Sequence, residues 1–305
     1  MDAEPLDPRL TEQRNPDSGA IDELDTLGIV DLINREDRRV AIAVSLERAN
    51  IARAIDLIVG CMRAGGHLIY VGAGTSGRLG ILDAAEMPPT FRTAPELVQG
   101  IIAGGSEALV RATEGAEDDT VAAERDIDAR GVGPADFVLG IATSGTTPYV
   151  HAALAYAKRL GARTGFLLCN EPSAELIERY DVVIAPVVGP EVITGSTRMK
   201  AGTATKLVLN TISTATMVRL GKVHGNLMVD LKVASNKLRD RAVRILIETL
   251  RLDRDAATAL LDGAAGEVKT AIVMGRSGVS AAEARTRLAD AAGVIRDVTD
   301  APDES

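Results

Sequence analysis

Leu68-Ile69-Tyr70-Val71-Gly72-Ala73-Gly74-Thr75-Ser76-Gly77-Arg78 is the stretch that decides how the chain folds. Its first four residues are a short, continuously apolar run, as expected of a strand covered on both faces. The glycines mark a tight turn and a helical pattern opens near Thr75, so the stretch reads as strand, turn and helix.

Downstream the same unit recurs. An apolar run at 97–103 leads through Gly104-Gly105 to helical stretches at 107–113 and 119–130. Another, at 137–142, enters Thr143-Ser144-Gly145-Thr146-Thr147-Pro148 and a helix to about Leu160. Strands at 164–168 and 182–185 flank a short helix at 173–179. Apolar strands alternating with helices predict an α/β fold, a parallel sheet of about five strands with helices on both faces.

On the N-terminal side, residues 1 to about 20 are polar and Pro-containing, the composition of an arm that orders only against something else. Thr26 is read as the cap of a short helix through Asn34. A longer helix follows from about Glu36 to Arg63, with Ile42, Leu46, Ala49, Ala52, Ile55 and Val59 near helical spacing. Beyond the sheet, long helical patterns cover 198–220 and 228–250. Residues 253–297 read as three short helices broken at Gly263 and Gly278. The organisation expected is an arm with scaffold helices (1–64), a sheet domain (65–250) and a small C-terminal helical bundle (251–305).

Composition narrows the function. Aromatics make up 2% of the chain and Trp is absent, so stacking platforms for bases or sugar rings are scarce. A net charge of −9 opposes broad contact with nucleic acid or an anionic membrane. No apolar run reaches the ~20 residues of a membrane span, and the acidic start Met1-Asp2-Ala3-Glu4-Pro5 does not resemble a signal peptide, so a cytoplasmic location is expected. Cys61 and Cys169 lie in apolar surroundings without a close Cys or His and read as buried thiols. His67, His151 and His224 lack metal-ligand spacing and read as structural.

Gly72-x-Gly74-x-x-Gly77 matches the dinucleotide fingerprint in form. That fingerprint also wants a carboxylate about 20 residues on, at the end of the second strand, and here this strand ends Ile102-Ala103-Gly104-Gly105. Thr75 and Ser76 instead set hydroxyls beside the free amides of a helix start, a phosphate cradle. Ser144-Gly145-Thr146-Thr147 repeats the device after the third strand. Two such turns at the carboxyl ends of parallel strands mark a ligand crevice; two ligand-free N-caps are the alternative. Gly74, Thr75, Ser76, Ser144, Gly145 and Thr147 are the candidate substrate contacts. Arg78, Ser196 and Lys200 are candidate anion contacts, although Ser196 or Thr197 serves equally as a helix cap. Glu86, before Pro88-Pro89, stands where the macrodipole disfavours a carboxylate. Glu117 lies in the acidic run Glu114 to Asp119, which by itself reads equally as a solvated helix start.

Together, Val71-Gly72-Ala73-Gly74-Thr75-Ser76-Gly77-Arg78-Leu79-Gly80, Asp83-Ala84-Ala85-Glu86, Glu114-Gly115-Ala116-Glu117-Asp118, Gly195-Ser196-Thr197-Arg198-Met199-Lys200-Ala201-Gly202-Thr203 and Gly225-Asn226-Leu227-Met228-Val229-Asp230 resemble the N-acetylmuramic acid 6-phosphate etherases. These are sugar-isomerase (SIS) domain proteins related to glucokinase regulatory protein. The resemblance implies cleavage of the lactyl ether at C3 of N-acetylmuramic acid 6-phosphate during recycling of cell-wall sugars. It further implies a homodimer with no metal or organic cofactor, Glu86 as acid and Glu117 as the second active-site glutamate. One departure stands out: the family's second loop usually reads Ser-Gly-Arg-Thr-Pro-Tyr, and Thr146 stands where the Arg is expected, with Arg78 and Lys200 as candidate replacements.

Two further expectations concern Glu86. As a catalytic acid it wants a partly dry site. An unbroken helix from Thr75 would carry it ~16 Å along the axis, so either the helix bends near Gly80 or a second subunit completes the site. A phosphosugar isomerase and a non-catalytic sugar-phosphate sensor of the same fold are the rival readings.

Overall fold

The computed structural model describes residues 7–230 and 235–299. From residue 7 on, the arm packs against later parts of the chain: its turns at 10–12 and 16–18 are pinned by Thr11 N–H on Asn170 Oδ1 (3.2 Å) and Asn15 Nδ2 on Glu36 Oε2 (2.8 Å). Helix α1 (Thr26–Leu46) is capped by Asp25, whose carboxylate accepts Gly28 N–H at 2.8 Å, and Thr26 is its first residue rather than its cap. α1 runs through the charged stretch at 35–39 where the sequence predicted a boundary, because Glu36 is turned inward. The break falls at Glu47, before α2 (Arg48–Arg63), and the Glu47 carboxylate there accepts Ala185 N–H at 3.0 Å.

Strands β1 (Leu68–Gly72), β2 (Val98–Ile102), β3 (Phe137–Ile141), β4 (Arg163–Leu167) and β5 (Val182–Ile184) form a parallel sheet in the order β2-β1-β3-β4-β5. All of β1 and β3 is buried, which explains why neither alternates apolar with polar residues. Helices α3 (Gly74–Ala85) and α6 (Pro148–Arg159) press opposite faces. A Cβ at Gly80 would come 2.9 Å from Tyr70 Cβ, and one at Gly140 would come 2.5 Å from Leu154 Cδ1. α5 (Thr120–Asp128) joins α6 through Ala123, Ile127, Ala153 and Ala157. α7 (Ala174–Arg179), capped by Ser173, precedes β5. The α/β architecture expected from the sequence is therefore present.

The chain divides into two compact units, Met1–Ala85 with Glu96–Ser213, and Glu86–Pro95 with Thr214–Ser305. Helix α8 (Lys200–Arg219) starts in the first, where Ala201 and Ala204 pack with Val40 and Ala43 of α1 and with Cys169. The second holds α4 (Met87–Phe91), a hairpin of β6 (Val223–His224) and β7 (Leu227–Met228), and helices α9 (Asn236–Leu250), α10 (Arg254–Gly263), α11 (Val268–Ser277), α12 (Ala281–Asp290) and α13 (Ile295–Thr299). Met228 thus lies in a strand, not at a helix start. α9, grouped by the sequence with the sheet, buries Ala242, Val243 and Leu246 against Leu261, Ile272 and Leu288 of the helical unit.

Candidate active site

The chain leaves β1 for β2 on one side and returns to β3 on the other, so the loops after β1 and β3 diverge and open a crevice. A cavity of about 510 Å³ lies there. Gly74, Thr75 and Ser76 wall one side, and Ser144, Thr146 and Thr147 the other. Arg9, Glu12, Glu117, Asp118, Gly195 and Thr197 complete the rim. A second hollow, about 480 Å³ along Leu46, Ile177 and Val182, has no such convergence of loop hydroxyls.

Two glycines of the first loop, Gly74 and Gly77, have separate duties. Gly74 adopts φ +52°, a left-handed turn that an L side chain strains. A Cβ on Gly77 would sit 2.6 Å from Ile102 Cγ1 and 2.7 Å from Gly72 O, so only glycine lets α3 approach the sheet this closely. The first amides of α3 have no intrahelical acceptor and collect at the crevice beside the hydroxyls of Thr75 and Ser76. Arg78 does not join them: its Nε donates to Leu109 O at 3.0 Å, and it borders a smaller neighbouring hollow.

In the second loop Gly145 turns at φ +85° and donates its N–H to Ala142 O at 2.8 Å. Ser144 Oγ and Thr146 Oγ1 are 3.1 Å apart. His151 braces the turn. Because a carbonyl only accepts, Nε2–H must donate to Gly145 O (2.8 Å), leaving Nδ1 to accept from the Tyr180 hydroxyl (2.8 Å). His67 is likewise structural, its Nδ1 2.9 Å from Asp136 Oδ1.

Ahead of α8, buried Glu191 accepts the amides of Lys200 (3.0 Å) and Ala201 (2.9 Å), and burial pushes its carboxyl above the usual range against those bonds. Lys200, expected at the anion, is buried instead, with Nζ 2.6 Å from Glu36 Oε2. Ser196 spends its amide on Ile193 O (2.9 Å) and lies outside the crevice lining, to which Gly195 and Thr197 belong. Cys169 is fully buried, and desolvation pushes its thiol up to about 12, consistent with a packing role.

Glu117 lies on the turn Ala116–Asp118 and lines the crevice with an exposed side chain. Glu86 is exposed too, directly precedes α4, and belongs to the second unit. α3 runs to Ala85 with no break at Gly80, and Gly80 serves the contact with Tyr70. The partly dry setting expected of Glu86 is not supplied by this chain alone.

Sequence reasoning missed three groups. Buried Asn170 donates to Thr143 O (3.3 Å), Ser144 O (3.1 Å) and Thr11 Oγ1 (3.2 Å), tying the arm to the second loop. Arg9 and Glu12 reach the rim from that arm. The polar, Pro-containing composition of the arm was the one available signal.

The parallel sheet carries two hydroxyl-rich turns at its reversal point, and the match that gives it a class is that of residues 50–158 to the glucokinase regulatory protein N-terminal SIS domain. Among similar folds, phosphoheptose isomerase from Neisseria gonorrhoeae is 17% identical, with 62% of this chain and 97% of that chain covered and a TM-score of 0.47. N-acetylmuramic acid 6-phosphate etherase of Gloeobacter violaceus is 55% identical over 94% of this chain and 93% of that protein. The etherase of Symbiobacterium thermophilum is 56% identical over 88% of this chain and 89% of that protein. The chain belongs to the N-acetylmuramic acid 6-phosphate etherase family.

Proposed function

We propose that the protein cleaves the D-lactyl ether of N-acetylmuramic acid 6-phosphate, with water, to N-acetylglucosamine 6-phosphate and D-lactate. Membership of the etherase family supports this. The structural observation that carries it is a single crevice joining two amide- and hydroxyl-rich turns to the carboxylate of Glu117. The turns at Gly74, Thr75 and Ser76 and at Ser144, Gly145 and Thr147 would hold the phosphate and sugar hydroxyls.

An alkyl ether resists direct displacement, but in the ring-opened sugar the C1 aldehyde acidifies the C2 proton. Glu117 takes that proton, the C3–O bond breaks, and Glu86 protonates the departing lactate oxygen. Water then adds its oxygen to C3 of the unsaturated intermediate while C2 regains a proton. An unbroken α3 carries Glu86 ~16 Å along the axis from Thr75, farther than a hexose phosphate reaches. Both glutamates are exposed in the single chain. These two features favour a homodimer in which Glu86 of one subunit serves the crevice of the other and docking excludes water.

No helix among the described residues is long and apolar enough to cross a membrane. With a net charge of −9, this accords with a cytoplasmic enzyme of cell-wall sugar recycling that acts on a small anion rather than on nucleic acid. Turnover in deuterated water tests the chemistry: elimination places solvent deuterium at C2 of the product, and full retention of the original hydrogen there would exclude it.

A further inference from the structure

We propose that Arg9, on the N-terminal arm, is the cation that binds the 6-phosphate, a role no side chain of the two loops fills. The proposal rests on the sugar-phosphate reading of the crevice. A phosphate monoester carries about −1.5 to −2 charges at neutral pH. The crevice lining already holds Glu12, Glu117 and Asp118, and among the described residues Arg9 is its one cationic side chain. Of the neighbouring cations, Arg78 is engaged on Leu109 O, Lys200 on Glu36 and Lys206 on Asp83 at 2.7 Å, and Arg198 is exposed outside the crevice lining.

The geometry aims Arg9 at the second loop. Its Nη1 donates to Thr146 Oγ1 at 2.9 Å. The opposite edge of the guanidinium is clamped by Asp7, with Nε 2.9 Å from Oδ1 and 3.0 Å from Oδ2, and Nη2 also on Oδ2. Side-chain and backbone hydrogen bonds from Arg9 hold the Asp7 carboxyl down to about 2, so the clamp stays ionised near neutrality. A two-point clamp fixes the guanidinium plane, and the free edge is left at the hydroxyls of Ser144 and Thr146. The segment behind it is anchored by Thr11 to Asn170 and by Gly195 N–H to Thr11 O (3.2 Å). Arg9 therefore places its charge beside residue 146 from a distant part of the chain, and a guanidinium carried by residue 146 itself would make it redundant.

The test is calorimetric binding of N-acetylglucosamine 6-phosphate, with unphosphorylated N-acetylglucosamine as control, to the wild type, Arg9→Gln, and Arg9→Gln with Thr146→Arg. Arg9→Gln should weaken binding of the phosphorylated sugar by about 10- to 100-fold, and adding Thr146→Arg should restore most of it. Unchanged affinity in Arg9→Gln would overturn the proposal. So would a loss that Thr146→Arg fails to recover, since that marks a structural role for the arm. Because binding is read rather than lactate release, Arg9 can be judged even if the etherase reaction fails.

Discussion

Lys200 Nζ lies 2.6 Å from Glu36 Oε2, and each side chain is about 2% exposed or less. A lysine beside a hydroxyl-rich turn looked like an anion ligand in the sequence, but its charge is consumed in joining α8 to α1. Removing one partner of such a pair leaves a buried charge. Asn15 and Arg39 still reach Glu36, so Lys200→Met should cost roughly 3 kcal/mol, the low end for a broken buried pair. Adding Glu36→Gln should recover part of the loss, so the two effects will not add in denaturant titration.

Gly77 permits a backbone approach that no side chain tolerates. Gly77→Ala should destabilise by about 1–3 kcal/mol and, by shifting the start of α3, raise KM for the sugar phosphate. Thermal melting and steady-state kinetics measure the two effects. An unchanged KM would mean that the first turn does not hold the ligand.

Asn170 connects the arm to the second loop through its amide alone. Asn170→Ala should cost about 2–3 kcal/mol. It should also raise amide exchange of residues 9–13 in the folded protein, with weaker sugar-phosphate binding as the arm loosens. Hydrogen exchange by mass spectrometry would show it.

Much of this was legible from the sequence. The runs at Leu68 and Phe137 announced buried parallel strands because residues covered on both faces must be apolar. The turns at Thr75 and Ser144 were visible because their glycines and hydroxyls stand close together in the chain. The contributions of Arg9 and Asn170 were not visible. Each acts across more than 130 positions, and a polar arm residue carries no periodic signal of what it will touch. The break between α1 and α2 was misplaced for a similar reason, since Glu47 is set by an amide 138 positions away.

Two variants, compared at a substrate concentration too low for Ser76→Ala to turn over, test the shared site. Glu86→Gln should abolish lactate release while leaving substrate binding nearly intact, and Ser76→Ala should weaken binding. If the site is completed across a dimer, mixing the two after subunit exchange should restore activity in heterodimers that retain one crevice with both Ser76 and Glu86. No recovery in verified heterodimers would place Glu86 and Ser76 of the same chain in one site.

The most direct test of the proposed chemistry is incubation of the purified protein with N-acetylmuramic acid 6-phosphate, followed by assay for D-lactate. D-lactate and N-acetylglucosamine 6-phosphate should appear in equal amounts, with no release by Glu86→Gln. Binding of the sugar phosphate without lactate, or its conversion to an isomer with the ether intact, would contradict that chemistry.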